Sequence, residues 1–264
     1  MASTPGGTEW ERHGVADGPA IVLIHGLGLN RAAWQWTIPA LADRYDIIAY
    51  DLFGHGESAA PPETPSLSLF SLQLVDVLDA AGFESAAIVG FSLGGMIARR
   101  FAQDHPERVG GLVILNSPYR RSPEAQKAVE DRVEQAKREG PHATVEAALQ
   151  RWFTDAFREA KPDTMELVRS WVKANDPSVY PTVYRVLAEG VKEVSAPQPP
   201  LRVPALALTA DEDFGNSPEM SRCIAAEIEG GECFTLPGLR HMALVEDPDA
   251  VNTLVRAFLD RNLI

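Results

Sequence analysis

Short, almost continuously apolar segments alternate with segments of helical spacing along most of the chain. The apolar segments are AIVLIHG (20–26), YDIIAYD (45–51), SAAIVGF (85–91), GGLVILNS (110–117), ALALTA (205–210) and GECFTLPG (231–238). Apolar runs of this length are typical of parallel strands that are covered on both faces. TEWERHG (8–14) alternates instead and is predicted to be an edge strand. Helical spacing is found over 30–43, 67–81, 93–104, 217–229 and 248–261. The predicted fold class is α/β, with a mostly parallel, doubly wound sheet flanked by helices.

One interval breaks this alternation. From Ser122 to Ser195 charged helical segments dominate and no strand is predicted, and prolines at 123, 141, 162, 177 and 181 divide the interval into about four helices. SAPQPPLRVP (195–204) then closes it like a linker. We therefore expect a core formed by residues 1–121 and 196–264, with an all-helical insertion, residues 122–195, that lies over the ends of the strands.

Charge and composition exclude several classes of partner. With 37 acidic and 24 basic residues, the chain has a formal net charge of −13. Such a surface repels phosphates, so no nucleic acid and no membrane is expected as a partner. The N-terminus lacks the apolar core of a signal peptide, and no apolar run reaches the roughly 18 residues of a membrane span. A cytoplasmic protein is expected, with Cys223 and Cys233 reduced and no metal site, since no His or Cys pair has zinc-ligand spacing.

Glycines surround one serine at a predicted strand-to-helix turn, in Gly90-Phe91-Ser92-Leu93-Gly94. Such a turn either cradles a phosphate or exposes a nucleophile. A dinucleotide-binding turn needs G-x-G-x-x-G after the first strand, but Arg31 takes the place of the third glycine there, and the chain has no Gly-Lys-Ser/Thr. G-x-S-x-G between a strand and a helix favours a nucleophile, because the glycines make room around a strained serine.

A nucleophilic serine needs a base, which a third group must orient. His241 follows the last predicted strand and is the predicted base, whereas His25 and His55 are expected to shape glycine-rich loops. A carboxylate that reaches the base from beyond the strand end favours Asp213, with Asp211 as the alternative. The backbone amides of Leu27 and Leu93 are the predicted oxyanion-hole donors.

With these residues, the chain resembles the α/β-hydrolase superfamily over nearly its full length. HGLG, YDLFGHGES, GFSLGGM, TADEDFGNSPEM and GLRHMALVEDP are similar to its landmarks in order. YDLFGHGES resembles the D-x-x-G-x-G-x-S loop of the superfamily, here Asp51, Gly54, Gly56 and Ser58. The usual G-x-x-D pattern aligns with Asp213 as the acid. The resemblance implies an α/β-hydrolase fold and a helical cap, inserted after the sixth strand, that roofs the pocket and selects substrates.

Within the superfamily, the stretch from Tyr45 to Pro118 is most similar to enol-lactone hydrolases of the 3-oxoadipate type and to related esterases. This implies a serine esterase or lactonase without a cofactor, which cleaves a small ester or lactone through an acyl-enzyme. Three alternatives stay open: carbon–carbon bond hydrolysis on the same triad, perhydrolase or haloperoxidase activity, and a small-molecule receptor with vestigial turnover. A homodimer is also left open.

Aromatic and basic residues of the insertion and of the first helical segment are candidates for the substrate pocket. Trp34, Trp152, Phe153 and Tyr184 are candidates to line an apolar acyl pocket, although aromatic residues at helical spacing more often pack between insertion and core. Arg151, Arg158 and Arg169 could hold a substrate carboxylate, as an enol-lactone would need; solvated helix faces are the alternative.

Overall fold

The centre of the fold is a twisted sheet. The computed structural model describes residues 2–263, and within them the strands are β1 Ala2–Ser3, β2 Glu9–Gly14, β3 Ala20–Ile24, β4 Asp46–Tyr50, β5 Ala86–Phe91, β6 Val109–Leu115, β7 Ala205–Ala210 and β8 Glu232–Leu236. Their order is β1-β2-β4-β3-β5-β6-β7-β8. The β1–β2 and β2–β4 pairs are antiparallel, and the five other pairs are parallel. The expected doubly wound sheet is confirmed.

Successive residues of the central strands enter two different hydrophobic cores. In β3, Val22 and Ile24 pack into the core on one face, while Ile21 and Leu23 pack into the core on the other face. β5 and β6 alternate in the same way. Side chains of a strand point to opposite faces, so two covered faces require apolar residues at every position. This explains why the strands appear in the sequence as unbroken apolar runs.

The helices follow the predicted alternation. They are α1 Ile38–Leu41, α2 Leu67–Ala81, α3 Leu93–Asp104, α4 Pro123–Glu139, α5 Val145–Trp152, α6 Asp155–Ala160, α7 Pro162–Lys173, α8 Tyr180–Glu189, α9 Val191–Val194, α10 Pro218–Ala226, α11 Ala243–Glu246 and α12 Pro248–Asn262. The helices predicted over 67–81 and 93–104 have those bounds. The helix predicted over 30–43 is instead a 3-10 turn, Arg31–Trp34, followed by α1, because Pro39 cannot donate the hydrogen bond that would continue the first turn.

The edge of the sheet and the number of helices in the insertion differ from the predictions. Residues 8–14 are not at the edge of the sheet, because β1 pairs with the outer side of β2. Between β6 and β7 the described chain is helical, with α4 to α9 where about four helices were expected. Pro123 and Pro162 stand at the first turn of α4 and α7, where a missing amide proton costs little.

The two cysteines do not form a disulfide. Cys223 in α10 and Cys233 in β8 are both free thiols. Across residues 2–263, no helix is long and apolar enough to cross a membrane.

Packing of the central strand predicts a large difference between two apolar truncations. Ile88 in β5 is fully buried, whereas Leu72 in α2 is 55% exposed. Ile88→Ala should lower the free energy of unfolding by about 2–5 kcal/mol, because it leaves a cavity in a closed core. Leu72→Ala, the matched control, should change it by less than about 0.5 kcal/mol. Urea unfolding monitored by circular dichroism measures both, and equal effects would contradict this assignment of the core.

Candidate active site

Ser92 occupies a strained turn between β5 and α3. Its φ is 55° and its ψ is −112°, a region that residues other than glycine rarely adopt. Two hydrogen bonds hold the turn: the Ser92 amide donates to Leu115 O at 2.8 Å, and the Ser117 hydroxyl donates to Ser92 O at 2.9 Å. Both partners belong to β6 or follow it directly, so the neighbouring strand fixes the serine backbone.

The flanking glycines are required because backbone atoms come very close. A Cβ at Gly90 would lie 2.2 Å from Gly94 O, and a Cβ at Gly94 would lie 2.2 Å from Ile24 O. Neither backbone oxygen could move without disturbing β3 or the first turn of α3. The glycines therefore allow α3 to begin directly beside the end of β3, as the sequence pattern indicates.

Asp213 and His241 form a buried pair. His241 Nδ1 lies 2.8 Å from Asp213 Oδ2, and the two residues are 7% and 2% exposed. The amides of Gly215 and Asn216 donate to Asp213 Oδ1, and Asn116 Nδ2 donates to Asp213 Oδ2 at 3.0 Å. With these bonds to a carboxylate, Asp213 is held as an acceptor for the Nδ1 proton of His241.

Asp211, the alternative acid, is engaged elsewhere. Its Oδ1 accepts a hydrogen bond from the Gly238 amide at 2.7 Å, and its side chain is exposed. Glu212 forms a salt bridge with Arg240 at 3.4 Å. Of the three neighbouring acids in this loop, Asp213 is the one that contacts His241.

Ser92, Asp213 and His241 line one cavity of about 100 Å³. Within the described chain no hydrogen bond joins Ser92 to His241, a separation that is common in unliganded hydrolytic sites. The imidazole is packed against Phe91, with ring centroids 4.9 Å apart, and near Trp152, at 6.1 Å. A cavity of this size has room for a small molecule.

Two backbone amides beside the serine are free. Neither the Leu27 amide nor the Leu93 amide donates a hydrogen bond to another group in residues 2–263. Leu27 lines the cavity, and Leu93 is the first residue of α3, where the helix dipole favours negative charge. The two predicted oxyanion-hole donors are thus not engaged by other groups of the described chain.

Two buried histidines brace the turn that carries Leu27. His55 Nε2 accepts from the Gly28 amide, and His25 Nε2 accepts from the Leu52 amide, each at 3.0 Å. Each Nδ1 contacts a backbone carbonyl, of Phe53 and Gly26 respectively. Both rings must therefore be neutral, with the proton on Nδ1. Burial lowers the pKa of His25 to about 4 and, together with the neighbouring His25, the pKa of His55 to about 3.

The loop that begins at Asp51 is hydrogen-bonded to the segment after the turn that carries Leu27. Asp51 accepts hydrogen bonds from the Arg31 and Glu57 amides and forms an ion pair with the Arg31 guanidinium. A Cβ at Gly56, whose φ is +54°, would lie 2.2 Å from Asp51 Oδ2. Ser58 donates to Asp51 O at 2.7 Å. These contacts explain the spacing of glycines and serine after Asp51.

Comparison with known proteins identifies the family. The family described as the alpha/beta hydrolase fold matches residues 19–248. The chain belongs to this family. It is 30% identical to the (E)-2-((N-methylformamido)methylene)succinate hydrolase of Acinetobacter baylyi, over 92% of this chain and 91% of that one. It is 27% identical to 3-oxoadipate enol-lactonase 2 of the same organism, over 94% and 91%.

A solved structure agrees with this assignment. The enol-lactonase of Burkholderia xenovorans superposes with a TM-score of 0.89 at 25% identity, over 98% of this chain and 99% of that one. The resemblance to the α/β-hydrolase superfamily and to enol-lactonases is thereby confirmed, and the chain has hydrolases as relatives. Among residues 2–263, no three His, Cys, Asp or Glu side chains are grouped so as to hold a metal ion.

The predicted pocket residues of this α/β hydrolase divide into two pairs. Trp152 and Tyr184 line the cavity. Trp34 and Phe153 do not, and this corrects their prediction as pocket residues: both are fully buried in the hydrophobic core on one face of the sheet. The 3-10 turn carries Trp34 inward, and Phe153 stacks on Phe157 with ring centroids 5.4 Å apart.

Of the three candidate arginines, one lines the cavity and two form salt bridges outside it. Arg151 lines the cavity, whereas Arg158 pairs with Asp155, and Arg169 pairs with Glu146 and Glu166 on the surface. Arg121 and Arg132, which sequence analysis missed, line the cavity as well. A signal for Arg132 was present in the sequence. It falls on the face of α4 that carries the buried residues Val129, Val133 and Ala136, at helical spacing.

The close backbone approach at Gly94 predicts a steric penalty in this hydrolase. Gly94→Ala should lower the free energy of unfolding by about 1–3 kcal/mol or more, because its Cβ would meet Ile24 O. Gly111→Ala in β6 is the matched control, since its Cβ would find the nearest atom at 3.8 Å and should be tolerated. Chemical denaturation of both variants is the measurement. A neutral Gly94→Ala would contradict the geometry of the turn.

The neutral histidines predict a pH dependence of stability. In the unfolded chain histidine titrates near pH 6.5, above the folded pKa of His55 of about 3. The unfolded state therefore binds more protons between these values, and stability falls as pH decreases below about 6.5. His55→Gln retains an acceptor for the Gly28 amide but no proton site, so it should reduce this slope by about 1.4 kcal/mol per pH unit.

Urea unfolding of this variant between about pH 6.5 and pH 4.5 tests the assignment. His142→Gln, at an exposed position of the insertion, is the control and should leave the slope unchanged. An identical pH dependence in His55→Gln and the native protein would show that His55 is not held neutral by the fold.

Proposed function

We propose that this α/β hydrolase cleaves a small ester or lactone through an acyl-enzyme on Ser92. One observation carries the proposal: the strained Ser92 turn shares a cavity with His241, whose Nδ1 is held by buried Asp213. A serine, a histidine and a carboxylate in this arrangement serve as nucleophile, base and orienting group. The enol-lactonases among the relatives support an ester or lactone as the substrate class.

In the proposed mechanism His241 Nε2 removes the hydroxyl proton as Ser92 Oγ attacks the substrate carbonyl. Asp213 holds the ring and stabilises the imidazolium that forms. The Leu27 and Leu93 amides donate to the oxyanion, and the proton then passes from His241 to the departing alkoxide. Water, deprotonated by His241, attacks the acyl-enzyme and releases the acid, which restores Ser92.

The insertion has the role of a cap in this proposal. Residues of α4, α5 and α8 line the cavity beside Ser92, and they include Arg132, Trp152 and Tyr184. We therefore propose residues 1–121 and 196–264 as the catalytic core, and residues 122–195 as the cap that selects substrates. The small cavity favours short acyl groups.

A second candidate is hydrolysis of a carbon–nitrogen bond by the same residues. It is favoured by the 30% identical relative, which acts on a succinate that carries an N-methylformamido group. Attack on an amide carbonyl uses the same base and oxyanion donors, with the proton delivered to nitrogen.

Ester hydrolysis tests the proposed chemistry. The native protein should hydrolyse p-nitrophenyl acetate and butyrate faster than octanoate, because the cavity is small. Ser92→Ala should reduce kcat by at least about 10³-fold, whereas Ser170→Ala, an exposed serine of the insertion, should leave it unchanged. Quenched samples should contain an acyl adduct on the peptide with Ser92.

The decisive comparison is between the two serine variants. Full ester turnover by Ser92→Ala would overturn the proposal. Absence of ester turnover, with hydrolysis of a formamide that depends on Ser92, would instead favour the second candidate.

A further inference from the structure

Three arginines line the same cavity as Ser92 and His241. They are Arg121, just before α4, Arg132 within α4, and Arg151 near the end of α5. All are only partly exposed. The chain as a whole has a net charge of −13. The cavity wall, with three positive charges, therefore has the opposite sign to the protein as a whole.

None of these arginines is neutralised by the protein. Within residues 2–263 no carboxylate lies within salt-bridge distance of any of them. Asp213 is the one acid among the lining residues of the described chain, and it is bonded to His241. By contrast, Arg158 and Arg169, on the outer side of the insertion, form salt bridges.

Their hydrogen-bond acceptors are neutral groups. Arg121 donates to the carbonyl oxygens of Leu187 and Ala188, and Arg151 donates to that of Ala147. Arg132 uses its Nε to bond Tyr184 Oη at 3.0 Å. Its two terminal nitrogens have no partner in the described chain, so the guanidinium edge that binds a carboxylate in bidentate fashion is free.

The three charges also destabilise one another. Burial and then the charge of Arg132 lower the pKa of Arg121 to about 10, and the same two causes lower the pKa of Arg151. A partly desolvated cluster of like charges is unfavourable unless an anion enters it. The cavity wall therefore favours a ligand that carries negative charge.

We propose that the substrate carries two carboxylates, which the arginines bind while the scissile carbonyl meets Ser92. This inference rests on the proposed function for the position of the carbonyl. A single carboxylate would compensate one of three charges and leave two guanidiniums uncompensated. Two carboxylates leave one positive charge, which the developing oxyanion at Ser92 can balance in part.

Two of the arginines lie beside the same helix. Arg132 donates to Tyr184 Oη, and Arg121 donates to the carbonyl oxygens of Leu187 and Ala188, so both guanidiniums contact α8. Val129 and Leu187 add apolar lining to the cavity. Two carboxylates joined by a short aliphatic chain match this combination of cationic and apolar groups.

Binding to the Ser92→Ala protein tests the inference without requiring turnover. The probes are adipate, monomethyl adipate and dimethyl adipate, which have the same chain and two, one and no charges. Calorimetric affinity should decrease by about tenfold with each carboxylate that is masked, because each loses a charge-assisted hydrogen-bond pair. Added NaCl should weaken adipate binding and leave dimethyl adipate nearly unaffected.

Arginine variants in the same Ser92→Ala background locate the site. Arg132→Gln should weaken adipate by about tenfold or more and change dimethyl adipate little. Arg138→Gln, at an exposed position of the same helix, is the control and should bind all three probes like its parent. Thermal unfolding of each variant checks that the insertion remains folded.

The two proposals fail in different ways. Equal affinity for the three probes, or adipate binding that is unchanged in Arg132→Gln, would overturn the dicarboxylate inference, even if ester turnover depends on Ser92. Charge-dependent binding lost in Arg132→Gln, in a protein that hydrolyses no ester, would support the ligand class and count against the proposed ester chemistry.

Discussion

The close approach of the Ser92 turn to the end of β3 is the constraint on which the site depends. Gly94 brings the first turn of α3 against Ile24 O, where no side chain fits. The turn after β3 therefore begins directly beside the serine, and a Cβ at Gly26 would lie 3.2 Å from that of Ser92. This packing contact thus brings the turn that carries the Leu27 amide beside Ser92, the residue before Leu93. The proposed oxyanion-binding position therefore depends on backbone geometry and not on a set of side chains.

The two buried histidines keep that geometry in place. His25 joins the end of β3 to the segment after β4, and His55 returns from that segment to Gly28. Each bond needs an unprotonated Nε2, so the low pKa values that burial imposes are a condition of the structure. Sequence analysis assigned both residues to loop shaping because they stand among glycines. The contacts explain why histidine is required: it accepts from one amide and donates to one carbonyl at the same time.

Features that depend on neighbouring residues could be predicted from the sequence. Side-chain environments that depend on contacts between distant segments could not. Unbroken apolar strands, α2 and α3 with their bounds, and the choice of Asp213 over Asp211 followed from period, spacing and chain order. Trp34 could not be placed, because whether an aromatic residue faces the core or the cavity depends on the 3-10 turn that carries it. The insertion was the least predictable part. Its arginines are similar in sequence, yet Arg169 meets carboxylates and Arg132 meets only a tyrosine hydroxyl, across contacts between helices far apart in the chain.

The arginine cluster connects recognition to the stability of the insertion. The uncompensated, partly buried charges of Arg121 and Arg132 oppose the packing of α4 against α8. A ligand that neutralises them and binds the folded state alone stabilises that state by an amount that grows with the logarithm of its concentration over its dissociation constant. In the proposed mechanism the backbone amides of Leu27 and Leu93 recognise the negative charge of the oxyanion and not the identity of the substrate. Under that proposal selectivity depends on the insertion, whose uncompensated arginines favour anionic ligands over neutral and cationic ones.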